Sequence, residues 1–379
     1  SSTADGYGTG KGLEVRGSTD IVISGNEFFD WWKGVNVGAS SNVTISGNDI
    51  HSIRSDGMFF DNVQSITIEK NYIHDFGGSL SSGDHRDMIQ FSKLSGPSTD
   101  IVIQDNVFDM GTGTFTQILF MGDGKASASD PSMFYQNVLI DNNMIYGAHT
   151  HGITVGGSKD LTISNNTVLA VDSGMTGGIT IPKINVSGSS QNVTIDQNVV
   201  SNVVGYNGQT DWTVTNNALV QNTQPGAAGY YDDVFTYNAT AGQDGYNQYG
   251  VVSGSVVDTL NAGSTLVNLF PMSYDQWVGS TGVTITPTTG GTGTTSPDPS
   301  TVDTSGSGTT GTGTTSPDTG TVDTSGSGTT GTGTTSPDTG TVDTSGSGTT
   351  GTGTTSPDTG TVDTSGSSTG GTTASTGTT

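Results

Sequence analysis

The chain has no cysteine and little base: ten Lys and Arg stand against 35 Asp and Glu, a formal net charge of −25. Absent cysteine excludes disulfides and thiolate metal sites. The shortage of base excludes nucleic acid as a partner, because phosphate binding needs a basic face. No apolar run reaches the roughly 18 residues of a transmembrane helix, and the sequence from Ser1 onward contains neither a signal sequence nor an initiating Met. High acidity without disulfides fits an extracellular bacterial protein, secreted or held at the cell surface. Arginine occurs only at Arg16, Arg54 and Arg86, and the last basic residue is Lys183.

What the chain has in abundance is repetition. A polar pair, an apolar-polar-apolar triplet, two polar or small residues and an Asn recur eight times, ending at Asn26, Asn48, Asn71, Asn106, Asn143, Asn166, Asn198 and Asn217. The triplet alternates with period two, as a half-buried strand does, and Asn suits the turn that closes it. Successive Asn residues lie 22, 23, 35, 37, 23, 32 and 19 residues apart. A coil of about 22 residues accommodates three short strands, and the longer spacings read as insertions at Gly77–Gly83, Gly122–Met133 and Ser173–Gly178. The pattern predicts an all-β chain, a right-handed parallel β-helix solenoid of about eight coils. The Asn residues are expected to align along one edge and bond to one another.

A second repeat occupies the C-terminal part. Thr309–Gly328 reads TTGTGTTSPDTGTVDTSGSG, Thr329–Gly348 repeats it without change, and Thr349–Ser368 differs at its last residue. Each copy carries one Val as its only large apolar side chain, too little to offset the entropy of ordering it. The expected organisation is a β-helix domain over residues 1–285, degenerate or capping from about 219, and a low-complexity tail over 286–379 acting as a flexible spacer.

Functional candidates come from aligning the strand that follows each Asn turn: Gly34–Val37, Gly57–Phe60, Met88–Phe91, Gln117–Phe120, Gly152–Val155 and Gly178–Ile181. Their third residues should face outward: Asn36, Phe59, Gln90, Leu119, Thr154 and Thr180. The residue before each strand forms a column of Lys33, Asp56, Asp87, Thr116, His151 and Gly177. Two positions earlier stand Trp31, Arg54, His85, Thr114, His149 and Met175. A third column follows the Asn turn: Phe29, His51, His74, Asp109 and Tyr146. All five histidines fall in these columns. Adjacent coils are about 4.8 Å apart, so Asp56, Asp87, Arg54 and His85 should be neighbours. Asp84, His85, Arg86 and Asp87 form the densest ionisable run, at the exit of an insertion.

The coil pattern and the segment Asp84–Phe91 (DHRDMIQF) resemble the right-handed parallel β-helix superfamily of carbohydrate-active proteins, over about Gly12–Ala218. That superfamily includes pectate lyase-like enzymes, alginate lyases and mannuronan C5-epimerases. Asp84-His85-Arg86-Asp87 is similar to the epimerases' Asp-Pro-His-Asp motif, without the Pro and with its order shifted. Thr150-His151-Gly152 is similar to the Gly-His-Gly motif of hydrolases on this fold, whose Asn-Thr-Asp motif is missing. The resemblance implies a polysaccharide partner and proton abstraction beside a uronic-acid carboxylate. In that chemistry Arg86 or Arg54 would neutralise the carboxylate, His85 or His151 would take the proton, and Tyr146 would act as acid. Asp87 and Asp56 complete the catalytic set; Lys33, Arg54, Asp84, Gln90, His149 and Tyr146 would bind substrate. A hydrolase would instead use Asp56 and Asp87 as its carboxylate pair. The acidic body is compatible with Ca²⁺, but no GGxGxDxUx repeat is present, so no residue is assigned to a metal. The alternative is a non-catalytic surface protein, an adhesin, matrix component or phage-type spike. There the solenoid would be a rod, and the tail an attachment to a cell surface or further domain.

Overall fold

The computed structural model describes residues 8–78, 81, 83–111, 113–122, 130–171, 180–236 and 250–266, and, beyond residue 291, the backbone of eight strands. The chain divides into two units, Ser1–Ile285 and Thr286–Thr379.

The first unit is a right-handed parallel β-helix of eight coils, each contributing one strand to three eight-stranded parallel sheets. The first sheet stacks Lys11–Arg16, Lys33–Gly38, Met58–Asp61, Asp87–Ser92, Gln117–Met121, His151–Val155, Lys183–Val186 and Val203–Val204. The second holds the repeated triplets, from Thr19–Ser24 to Trp212–Thr215. The third runs from Glu27–Phe29 to Ala218–Leu219. Inward residues stack like on like: Ile23, Ile45, Ile68, Ile103, Ile140, Ile163 and Ile195 form one buried file. Each such side chain contributes on the order of 1.5–3 kcal/mol by leaving water.

The eight Asn residues form the expected ladder. In each step the backbone N–H and the Nδ2 of one Asn donate to Oδ1 of the next, at 2.9–3.1 Å. The left-handed turn residue is not the Asn, however. It is the residue before it: Gly25, Gly47, Lys70, Asp105, Asn142, Asn165, Gln197 and Asn216 all have φ between 51° and 64°. The Asn repeats because its amide bonds both along the stack and to its own turn, not because it tolerates αL.

Past Ala218 the chain covers the outer face of the third sheet. Tyr231, Val234, Phe235, Val257, Ala262 and Leu266 pack on Val107, Met144, Tyr146, Leu169 and Val199. The Tyr231 hydroxyl accepts from the Ala170 N–H at 3.0 Å, and Asn142 binds Ser264 and Thr265. This segment lies along the flank of the solenoid. Among the described residues no helix is long and apolar enough to cross a membrane.

In the second unit the strands of the twenty-residue repeats pair with their own copies. Thr310–Thr315, Thr330–Thr335 and Thr350–Thr355 pair in parallel, as do Asp318–Ser325 and Asp338–Ser345.

Candidate functional site

The first sheet turns its outer face to solvent, and the strand register sets which residues share it. Asp87 pairs with Gln117, Gln90 with Phe59 and Phe120, and Thr154 with Phe120 and Asn185. The outward file is therefore Asn36, Phe59, Gln90, Phe120, Thr154 and Asn185. Two expected members change. In Gln117–Met121 the core residues are Ile118, Leu119 and Met121, so Leu119 is buried and Phe120 faces out. The next strand is Lys183–Val186, so Asn185 replaces Thr180, which accepts from the Thr150 N–H in a connecting segment. Met175, Gly177 and Gly178, with most of the three expected insertions, lie outside the described residues.

The same one-residue slip puts Gln117, not Thr116, in the column of Lys33, Asp56, Asp87 and His151, and puts Phe115, not Thr114, beside His149. His85 lies over Asp87, its Nδ1 2.6 Å from Asp87 Oδ2. Its other nitrogen, Nε2, accepts from Gln117 Nε2 at 2.8 Å. The His85 side chain is 54% exposed and Asp87 wholly buried, so the imidazole is the pair's only contact with solvent. Burial pushes the Asp87 carboxyl up to about 7, and the neighbouring Asp56 charge adds to this. The bond to Asp87 raises the His85 pKa.

Asp56, 1% exposed, is also raised by burial, against the opposing charge of Lys33. The Lys33 ammonium pairs with Asp56 and sits 4.1 Å from the Phe59 ring centre. Arg54 donates to Asp84 at 2.7 Å, and the Trp32 indole donates to its other oxygen at 3.2 Å. Arg86 donates to the Phe115 carbonyl at 3.1 Å, and Gly78 fits closely over its side chain: a Cβ there would come within 2.5 Å of Arg86 Cδ. Being buried, Asp56 and Asp87 cannot flank a glycosidic bond as a hydrolase's carboxylate pair must.

Past Phe120 the same face of the sheet holds two more histidines. His149 and His151 stack at 4.9 Å, and His149 Nδ1 accepts from the His151 backbone N–H. Desolvation lowers both, His149 to about 4, so both rings are neutral at pH 7. Phe120 stands edge-on between His85 and His151, with ring centres 5.9 and 5.2 Å away.

The structure brings together Lys33, Arg54, Asp56, Asp84, His85, Arg86, Asp87, Gln90, His149 and His151. Tyr146 it does not: that residue belongs to the third sheet and is buried under the C-terminal segment, because its column faces another side of the coil. His51 and His74 share that sheet. His74 bonds Asp49 and Asp75 at 2.9 and 2.8 Å, and His51 bonds Glu27 at 3.0 Å. Among the described residues, Asp56–His85–Asp87 and Glu27–Asp49–His51 are the groups whose ligand atoms lie close enough, within 4.8 Å, to share an ion. Gln117 escaped the sequence reading through the slip; the apolar pair Leu119 and Met121, two apart, was the signal that could have found it.

A family model described as the right handed beta helix region matches residues 5–116. No curated protein matches the chain. Among solved structures, the chain is similar to the Dettilon tailspike protein, with 16% identity, TM-score 0.27 and 59% of each chain covered. It is also similar to AlyGC, an alginate lyase of family PL6, with 11% identity, TM-score 0.28, and 92% of this chain and 70% of that one covered. The chain thus spans 59% of the tailspike's length.

Proposed function

We propose that the protein acts outside the cell on an anionic, uronic-acid polysaccharide laid along the first sheet, by lyase or C5-epimerase chemistry. One observation carries this reading: a half-exposed imidazole, His85, anchored on a buried carboxylate on a sheet face that also carries Arg86 and two neutral histidines. A hydrogen α to a carboxylate is removed only where a base reaches it and the developing charge is offset. His85 Nε2 would take the C5 proton, leaving the electron pair on the carboxylate-stabilised carbon, and Arg86 would face the carboxylate. Loss of the C4 substituent, its oxygen taking the proton held on His85 Nε2 as the C4–O bond breaks, then gives a lyase product. Reprotonation from the opposite face by water, with His85 returning its proton to solvent, gives the epimer. Phe59 and Phe120 offer apolar rings to the sugar faces. The tail would serve as spacer or attachment.

The test is incubation with a panel of uronic-acid polymers, following ultraviolet absorbance for the unsaturated product and proton NMR for C5 inversion. His85→Ala should lower turnover by about two to four powers of ten, the range for general acid–base groups, with little change in melting temperature. Full activity of that variant would overturn the assignment. A second reading, a non-catalytic adhesin or spike rod, is favoured by the internal pairing of Arg54 with Asp84 and of Lys33 with Asp56. An inert wild type that still binds the polymer would select it.

A further inference from the structure

We propose that Gln117 is the positioning residue of the His85–Asp87 pair, its carboxamide turning over with the ring's protonation: Nε2 donates to the neutral imidazole, and Oε1 accepts from the imidazolium. The catalytic consequence rests on the reading of His85 as the proton-moving group; the inversion itself does not.

The two residues that hold the ring come from adjacent coils in direct register, Asp87 and Gln117. Asp87 Oδ2 takes Nδ1 and Gln117 Nε2 takes ring Nε2, so the imidazole is gripped at both ends. An amide nitrogen only donates, so in this arrangement ring Nε2 carries a lone pair and Nδ1 carries the proton given to Asp87. That leaves Gln117 Oε1 buried with no hydrogen-bond partner. An orphaned acceptor of this kind is disfavoured and calls for an explanation. Half a turn of the carboxamide supplies one: Oε1 replaces Nε2 beside the ring and accepts the proton of an imidazolium Nε2–H. The two arrangements occupy the same space and differ by one proton.

The charges around the ring do not commit it to one state. Asp87 and Asp56 favour the imidazolium and Arg86 opposes it, while Lys33 offsets part of the Asp56 and Asp87 charge. His149 and His151, beyond Phe120, are disfavoured as cations by His85. In the proposed reaction the substrate's C5–H displaces the amide N–H from Nε2. The C5–H bond breaks, the Nε2–H bond forms, and the new N–H finds Oε1 as its acceptor. Gln117 would hold the ring at one angle through the proton's arrival and departure.

Neutron diffraction from deuterium-exchanged crystals, at one pH below and one above the His85 titration seen by ¹⁵N NMR, reads the amide directly. The expected maps place oxygen against the ring at the lower pH and the deuterated nitrogen at the higher. The same orientation at both would overturn the proposal. In solution, Gln117→Glu, which presents only acceptors, should raise the His85 pKa by about 1 unit or more. Gln117→Leu, which favours neither state, should leave it within a few tenths while its ¹⁵N signals lose the Nε2 hydrogen bond. Equal titration in Glu, Leu and wild type would reduce Gln117 to packing and overturn the inference. None of these readouts needs turnover. A wild type inert on every polymer therefore sinks the proposed reaction and leaves the inversion to the maps and the titrations.

Discussion

Two files of buried polar side chains run up the same solenoid, and they are built to opposite rules. In the Asn ladder each interior amide is saturated. Asn106 Nδ2 donates to Ile68 O, Gln104 O and Asn143 Oδ1, and its Oδ1 accepts twice from Asn71. On the outer edge of the first sheet, Asn36 Oδ1, Asp87 Oδ1 and Gln117 Oε1 are buried without hydrogen-bond partners. There the carboxyls of Asp56 and Asp87 are pushed up by burial. Both files exploit stacking at the coil repeat; one satisfies every group and fixes register, the other leaves acceptors open and displaced pKa values. Buried polar groups left unsatisfied are where a scaffold departs from stability for another purpose.

The contrast breaks most readily at the ladder. Asn106→Ala removes the shared partner of Asn71 and Asn143 and strips the acceptors of Nδ2. At about 1–3 kcal/mol for each buried group left unpaired, it should destabilise the first unit by about 3–5 kcal/mol in chemical denaturation. A loss below about 1 kcal/mol would mean that the ladder follows the fold without holding it.

Asp87→Asn should do the reverse across a defined pH window. The folded carboxyl titrates at about 7, above its ordinary 3.8, so folding favours its protonated form. Its contribution is fully present below 3.8 and is lost as pH rises through about 7, since the unfolded chain binds fewer protons there. The stability of Asp87→Asn relative to wild type should therefore climb from pH 4 to pH 7 and then level off. A flat difference, measured by denaturation at stepped pH, would show that Asp87 is not penalised in the fold.

These two files were not equally legible in the sequence. Period-two triplets ending in Asn carry the second sheet and the ladder outright, because eight copies leave no freedom of register. The site's column was legible only where the strand read unambiguously, as at Lys33, Asp56 and Asp87. In Gln117–Met121, four consecutive apolar residues fit either phase, and a one-residue slip exchanges core for surface, which hid Gln117 and Phe120. Tyr146 was assigned to the site because its position in the coil was read without the face it presents. His74 and Tyr146 share an outward file of the third sheet, open in the early coils and covered by the C-terminal segment in the later ones.

That open part of the third sheet holds a third way of treating a polar group, and the smallest predicted effect. His74 has both nitrogens partnered, by Asp49 and Asp75, and stacks on Tyr72 and His51 with ring centres 4.1 and 5.1 Å away. Burial lowers its pKa, but the two carboxylates outweigh burial and hold it up at about 9 against an ordinary 6.5. A raised histidine stabilises the fold fully below 6.5, and that stability is lost as pH rises through about 9. His74→Gln keeps a side chain able to donate to one carboxylate and removes the titration. Between pH 6.5 and 9, wild-type stability should decline more steeply than the variant's. The effect should be smaller than at Asn106, because Asp75 is 37% exposed and the pair is screened. Parallel slopes for the two proteins across that window would show that His74 is neutral in the folded chain, its ring held by stacking and not by charge.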